Sequence, residues 1–139
     1  MSDIQSAFDS YRDAVYAKDV DAFVGLYDPA VQVFDMWGVW SYDGRDAWRG
    51  MATEWFGSLG DERVGVEFTH VRSEIAGDLA FAHALVTYTG LSAEGKALRA
   101  MTNRISWVLR RSGGAWRVVH EHSSAPVDFE TQKTILQAP

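Results

Sequence analysis

Residues 63–125 read RVGVEFTHVRSEIAGDLAFAHALVTYTGLSAEGKALRAMTNRISWVLRRSGGAWRVVHEHSSA, and apolar side chains recur through them with a period of two. Turn-forming residues at Ala76-Gly77-Asp78, Ser92-Ala93-Glu94-Gly95 and Ser112-Gly113-Gly114 divide the stretch into four long runs. The runs are about Arg63 to Ile75, Leu79 to Leu91, Ala97 to Arg111 and Ala115 to Ala125. Connections of this length join antiparallel neighbours, so the stretch predicts a four-stranded meander.

Upstream the spacing is helical. Ile4, Phe8, Tyr11 and Val15 fall on one face, with Ser2 or Asp3 placed to cap it. Asp19 is placed to cap a short second helix carrying Phe23, Val24 and Leu26, which ends at Tyr27-Asp28-Pro29 because proline cannot continue it. A strand from Val31 to Trp37 follows, then the turn Ser41-Tyr42-Asp43-Gly44. A third helix carries Trp48, Met51, Ala52, Trp55, Phe56 and Leu59, with Gly60 as its C-cap. Helices first and long antiparallel strands afterwards describe an α+β domain, its three N-terminal helices packed on a strongly curved, mostly antiparallel sheet. The tail after Pro126 reads as a short helix or an ordered extension.

The 139 residues make one domain, 1–139, large enough for a single core. The apolar fraction of 47%, with six Trp and seven Phe, excludes a disordered chain. A net charge of −6 argues against nucleic acid as partner, since phosphate neutralisation needs a basic face. Cysteine is absent, which removes disulfides, thiolate metal sites and thiol nucleophiles. No apolar segment reaches membrane-spanning length and no basic leader opens the chain, so no membrane contact is expected and the cytoplasm is the default compartment. No Gly-rich phosphate loop, G-x-S-x-G elbow or helical H-E-x-x-H occurs, which argues against nucleotide hydrolysis and serine-type acyl transfer.

Polar residues inside apolar runs mark the candidate site. Asp35 is the only charge in Val31-Gln32-Val33-Phe34-Asp35-Met36-Trp37-Gly38-Val39-Trp40. A carboxylate there either accepts backbone N–H bonds at a strand end or, desolvated, becomes a proton acceptor near neutral pH. The strand 97–111 separates into Met101, Ile105, Trp107 and Leu109 on one face and Thr102, Arg104, Ser106 and Val108 on the other. Arg104 between two hydroxyls suggests a lined cavity, or an ion pair with Asp35 or Glu121. His120 and His122 alternate on the last strand, and His70 or His83 could add a third nitrogen. Such a pair is more often hydrogen-bonded than metal-bound, so no metal is expected. Runs apolar on both faces, such as Leu79-Ala80-Phe81-Ala82-His83-Ala84-Leu85-Val86, need cover on both sides, and a second copy of the chain is the simplest outer cover: a homodimer is expected.

In order and spacing, Asp28-Pro29 before the strand 31–37, Asp43-Gly44-Arg45 at the third helix, and the ending Arg110-Arg111-Ser112-Gly113-Gly114-Ala115-Trp116-Arg117-Val118-Val119-His120-Glu121-His122-Ser123-Ser124 resemble the nuclear transport factor 2-like (NTF2-like) superfamily. The resemblance runs from about Ile4 to Pro126 and points to its SnoaL-like and ketosteroid-isomerase-like members. The ending is also similar to the association domain of calcium/calmodulin-dependent kinase II, a non-catalytic oligomerisation module of the same fold. The resemblance implies a cone-shaped sheet around an apolar pocket. It sets Asp35 where ketosteroid isomerases keep the proton-moving carboxylate, Tyr11 where they keep an oxyanion-binding tyrosine, and Ser106 where they keep a second, acidic donor. That logic of a base facing protonated donors is a known worked case. Serine donates less well and Arg104 adds a charge, so a smaller substrate with a carboxylate, enol or phenolate oxygen is expected in place of a steroid. Similarity to the association domain sets His83, Leu85, Ser106 and Ser123 toward the pocket, with Glu121 on the same side as Ser123.

The expected protein is a cofactor-free enzyme performing isomerisation, cyclisation or dehydration by proton transfer. Asp35 is the base, Tyr11 and Ser106 are oxyanion donors, and Arg104 orients an anionic group. Trp37, Trp55, Phe81, His83, Glu121 and Ser123 line the pocket. The competing expectation is a ligand-binding or oligomerisation module of the same fold without chemistry.

Overall fold

The computed structural model describes residues 3–138. Its elements run α1 (Ile4–Ala17), α2 (Val20–Val24), β1 (Tyr27–Phe34), β2 (Tyr42–Asp43), α3 (Arg45–Gly57), β3 (Arg63–Ala76), β4 (Leu79–Leu91), β5 (Ala97–Ser112) and β6 (Ala115–Ser124). One six-stranded sheet has the order β2-β1-β6-β5-β4-β3. Every pairing is antiparallel except β1 with β6. The sheet is curved and carries the three helices, giving the α+β architecture expected. Among the described residues no helix is long and apolar enough to cross a membrane.

The four period-two runs become β3 to β6 with ends displaced by at most one residue. Gly77 takes φ +63° in the β3–β4 turn, a left-handed conformation that costs glycine nothing. α1 buries Ile4, Ala7, Phe8, Tyr11, Ala14 and Val15, which recur at three and four residues. Asp19 caps α2 by accepting the Ala22 N–H at 3.0 Å, whereas Asp3 makes no side-chain cap bond to α1. The second capping candidate, Ser2, lies outside the described residues.

Three boundaries differ from expectation. α3 ends at Gly57 with Ser58, not Gly60, as its C-cap, the Ser58 N–H donating to the Glu54 carbonyl. Tyr27-Asp28-Pro29 opens β1 instead of ending α2, because the β1–β6 register shifts between Tyr27 and Gln32 and the missing proline N–H falls in that irregular stretch. The strand then ends at Phe34, so Asp35 to Trp37 lie beyond it. The tail is an ordered extension. Val127 bridges Thr134, the Thr102 N–H donates to the Leu136 carbonyl at 2.8 Å, and Gln137 Nε2 donates to the Ala100 carbonyl at 3.0 Å. The tail thus pairs the part of β5 that β6, which begins its pairing at Arg104, leaves open.

Alternation divides the sheet into an inner face toward the helices and an outer face. Ala80, Ala82, Ala84 and Val86 of β4 are buried, as are Asn103, Ile105, Trp107 and Leu109 of β5. The registers set Ala82 opposite Trp107, Ala84 opposite Ile105 and Ala80 opposite Leu109, so small residues on one strand make room for large ones on the next. Trp107 stacks on Phe8 of α1 with ring centroids 4.6 Å apart. Trp107 is therefore buried within the single chain, under α1.

This arrangement corrects the expected orientation of two strands. Phe81 and His83 of β4, and Arg104 and Ser106 of β5, point to the outer face. The parity itself was legible, but the face toward the helices is the one carrying Trp107 and the alanines. On β6 the register steps from Val108 opposite His120 to Leu109 opposite Val118, a bulge at Val119. It turns Val118, Glu121 and Ser123 all inward.

Candidate active site

Between the helices and the inner face of the sheet lies a cavity of about 930 Å³. Trp37, Tyr42, Trp48, Trp55 and Tyr88 supply aromatic wall, and Tyr11, Asp35, Asn103, Glu121 and Ser123 supply the inner polar groups. Six of the residues expected at the site therefore share it: Tyr11, Asp35, Trp37, Trp55, Glu121 and Ser123. Arg104, Ser106, Phe81 and His83 do not line it. Arg104 Nε donates instead to Ser124 Oγ at 3.1 Å, and His83 stacks against Phe81 with centroids 5.9 Å apart.

Asp35 is held where the chain leaves β1. Ser123 Oγ accepts the Met36 N–H at 3.0 Å and donates to Asp35 Oδ1 at 3.1 Å, so the end of β6 anchors the end of β1. Burial raises the Asp35 carboxyl above its ordinary range, against the Ser123 hydroxyl and the backbone N–H groups of Trp37 and Met36. Among the described residues neither Asp35 nor Glu121 takes part in an ion pair. The alternative pairing of Arg104 with either carboxyl is thereby excluded.

Glu121 is deeper, 2% exposed. Its Oε1 accepts from the Tyr27 hydroxyl at 2.5 Å and from Trp107 Nε1 at 2.9 Å. Desolvation pushes its carboxyl up to about 7, opposed by those two hydrogen bonds and assisted by the nearby charge of Asp35. Glu121 thus keeps its proton to a higher pH than an ordinary glutamate. The hydroxyls of Tyr11 and Tyr88 share a hydrogen bond of 2.8 Å, and burial raises both well above ordinary tyrosine, so both stay neutral donors.

Residue 103 escaped the sequence reading. Asn103 is 5% exposed on the inner face, its Nδ2 donating to Met36 Sδ at 3.2 Å and its Oδ1 without a partner. The signal was a lone amide on the otherwise apolar parity of Met101, Ile105 and Trp107. Tyr88, on the inner parity of β4, and Arg99 were missed as well. Arg99 Nη2 lies 2.8 and 3.1 Å from the two oxygens of Glu62 at the rim, and its guanidinium occupies the space that a Cβ at Gly90 would fill. Among the described residues no three His, Asp or Glu side chains gather into a metal-ligand set.

Three helices closing one side of a bent sheet around an aromatic-walled cavity define the NTF2-like, or cystatin-like, class of protein. The chain belongs to the SnoaL-like domain family, whose model matches residues 4–128. Among solved structures it is similar to an NTF2-like protein of unknown function from Pseudomonas putida KT2440, at 27% identity and a TM-score of 0.85 over 98% of this chain and 93% of that one. It is similar also to an uncharacterized protein with a cystatin-like fold from Caulobacter vibrioides, at 19% identity and a TM-score of 0.71 over 87% and 85% of the two chains. An NTF2-like protein from Novosphingobium aromaticivorans aligns at 17% identity and a TM-score of 0.72 over 86% of this chain and 77% of that one. No match is found among curated proteins. The two structures below a quarter identity bear on the fold alone.

Proposed function

We propose that this SnoaL-like protein is a cofactor-independent enzyme that moves a proton on a small molecule held in the cavity, in an isomerisation, cyclisation or dehydration. The observation that carries the reading is Asp35: a carboxylate on the cavity wall, desolvated, steered by a hydroxyl and two backbone N–H groups, and in no ion pair among the described residues. In this reading Asp35 removes a proton next to a carbonyl. Tyr11, backed by Tyr88, donates to the oxygen on which charge develops. Glu121 in its protonated form adds a second acid at the inner end. Ser106 and Arg104 drop out of the expected roles, since neither reaches the cavity.

A carbon-detected NMR titration of the Asp35 carboxyl tests the base. Its midpoint is expected above the ordinary aspartate value of 3.8. A midpoint at or below that value would leave Asp35 a strand-end acceptor of hydrogen bonds. It would favour the second reading, a ligand-binding module without chemistry, which the Ser123 and backbone contacts to Asp35 also support.

We propose further that the outer face forms a homodimer. Leu79, Phe81 and Val108 stand there 47%, 45% and 39% exposed on neighbouring strands, Phe81 directly opposite Val108, an apolar group of the kind a partner chain covers. Sedimentation at micromolar concentration is expected to give twice the chain mass, with Phe81→Glu giving a monomer. A monomeric wild-type protein would refute this.

A further inference from the structure

We propose that the ligand this cavity is built for is an organic amine in its protonated form, not the anion that Arg104 suggested. The inference rests on the small-molecule cavity of the preceding reading but not on turnover.

Charge is the first ground. Among the described residues the lining carries the carboxyl groups of Asp35, Glu54, Glu62 and Glu121 and a single cationic side chain, Arg99. That guanidinium is already engaged by both oxygens of Glu62. An anion entering would meet uncompensated carboxylate, whereas an ammonium group would be drawn inward.

The unmade hydrogen bond of Asn103 is the second and independent ground. The amide is oriented by its contact with Met36 Sδ, because turning it over would set a carbonyl oxygen against a thioether sulfur, two acceptors facing each other. The free end is therefore Oδ1, a buried acceptor with no donor among the described residues. Its terminal torsion is broad, so a small swing turns it to a ligand. The other buried polar side-chain atom without a hydrogen-bond partner among the described residues, Trp48 Nε1, is a donor that stands toward the Tyr27 hydroxyl. Asn103 Oδ1 is thus the unfilled acceptor of the inner wall, and an N–H donor carrying positive charge satisfies it.

The aromatic wall agrees. Trp55 and Tyr88, edge to face with centroids 6.1 Å apart, line the cavity together with Trp37 and Tyr42, and aromatic rings attract an ammonium. On a carbonyl substrate that ammonium would offset the enolate charge formed by proton removal, in a cavity otherwise lined with carboxylates.

Benzylamine, benzyl alcohol and benzoate share one shape and differ in charge, and their binding is followed by quenching of wall tryptophan fluorescence at neutral pH. Benzylamine is expected to bind at least about tenfold more tightly than benzyl alcohol, with benzoate weakest. Asp35→Asn and Asn103→Leu are each expected to lower the amine-over-alcohol ratio severalfold. Equal binding of alcohol and amine overturns the proposal. So does preference for benzoate, no detectable amine binding, or a ratio that neither substitution changes, which would mean mere attraction to an acidic surface. Should Asn103→Leu fail to fold, the wild-type Asn103 side-chain amide resonances decide. They are expected to shift with benzylamine and not with benzoate, and their failure to shift overturns the role of Asn103. Amine selectivity without proton exchange on any carbonyl compound would defeat the enzymatic reading and leave this one standing, and exchange without amine selectivity would do the reverse.

Discussion

Glu121→Gln is expected to make the protein more stable than wild type above neutral pH and to leave it nearly unchanged in acid. The buried carboxyl titrates at about 7 in the folded chain against an ordinary 4.5. Below 4.5 both states hold the proton and the group contributes its full share of stability. Between 4.5 and about 7 the unfolded chain ionises while the folded chain stays protonated, so stability falls as pH rises through this window and levels off above it. The gap from 4.5 to about 7 corresponds to on the order of 3 kcal/mol. Glutamine copies the protonated acid: its carbonyl oxygen still accepts from Tyr27 and Trp107, and its amide carries no charge to desolvate. Denaturant unfolding of both proteins across this range gives the difference directly. Asp35, whose carboxyl is also raised by burial, titrates in both and largely cancels. A difference between the two proteins that does not vary with pH would show that Glu121 is not the group that titrates.

Asp35→Asn is expected to lower proton transfer on any substrate found by roughly a hundredfold or more, the loss typical of a missing general base. The fold should survive, because an asparagine Oδ1 can still accept from Ser123 Oγ as Asp35 does. Tyr11→Phe should cost less. Tyr88, now partnered to Tyr11 at 2.8 Å, would be released to donate in its place. A loss at Tyr11 as large as that at Asp35 would mean that the two tyrosines are not interchangeable donors.

The sheet was the legible part of the molecule, since alternation over more than ten residues has one structural reading and glycine-rich turns mark its ends. What alternation cannot state is which face turns inward. On β4 the inner face is Ala80, Ala82 and Ala84 while Leu79 and Phe81 face out, the reverse of a ranking by hydrophobicity, because the alanines accommodate Trp107 and its neighbours. Arg104 and Ser106 were drawn into the expected site by that ambiguity. On β6 the bulge at Val119 breaks the alternation, and only the register across β5 reveals it. Asp35 was visible as one charge in an apolar run. Asn103 carries the same kind of signal, one amide on an apolar parity, but the opposite parity, with Thr102, Arg104 and Ser106, is the more polar one. Pro29 was read as a helix stop although an irregular strand accommodates it as well.

Deuterium uptake in heavy water at carbon positions next to a carbonyl, followed by NMR over a panel of small carbonyl compounds that includes amine-bearing members, tests most directly whether Asp35 works as a base. The account predicts uptake with at least one member that is fast with wild-type protein and falls to near the solvent rate with Asp35→Asn, while that variant keeps the wild-type fold. Equal uptake with the two proteins would remove Asp35 from the chemistry and leave the cavity a binding site.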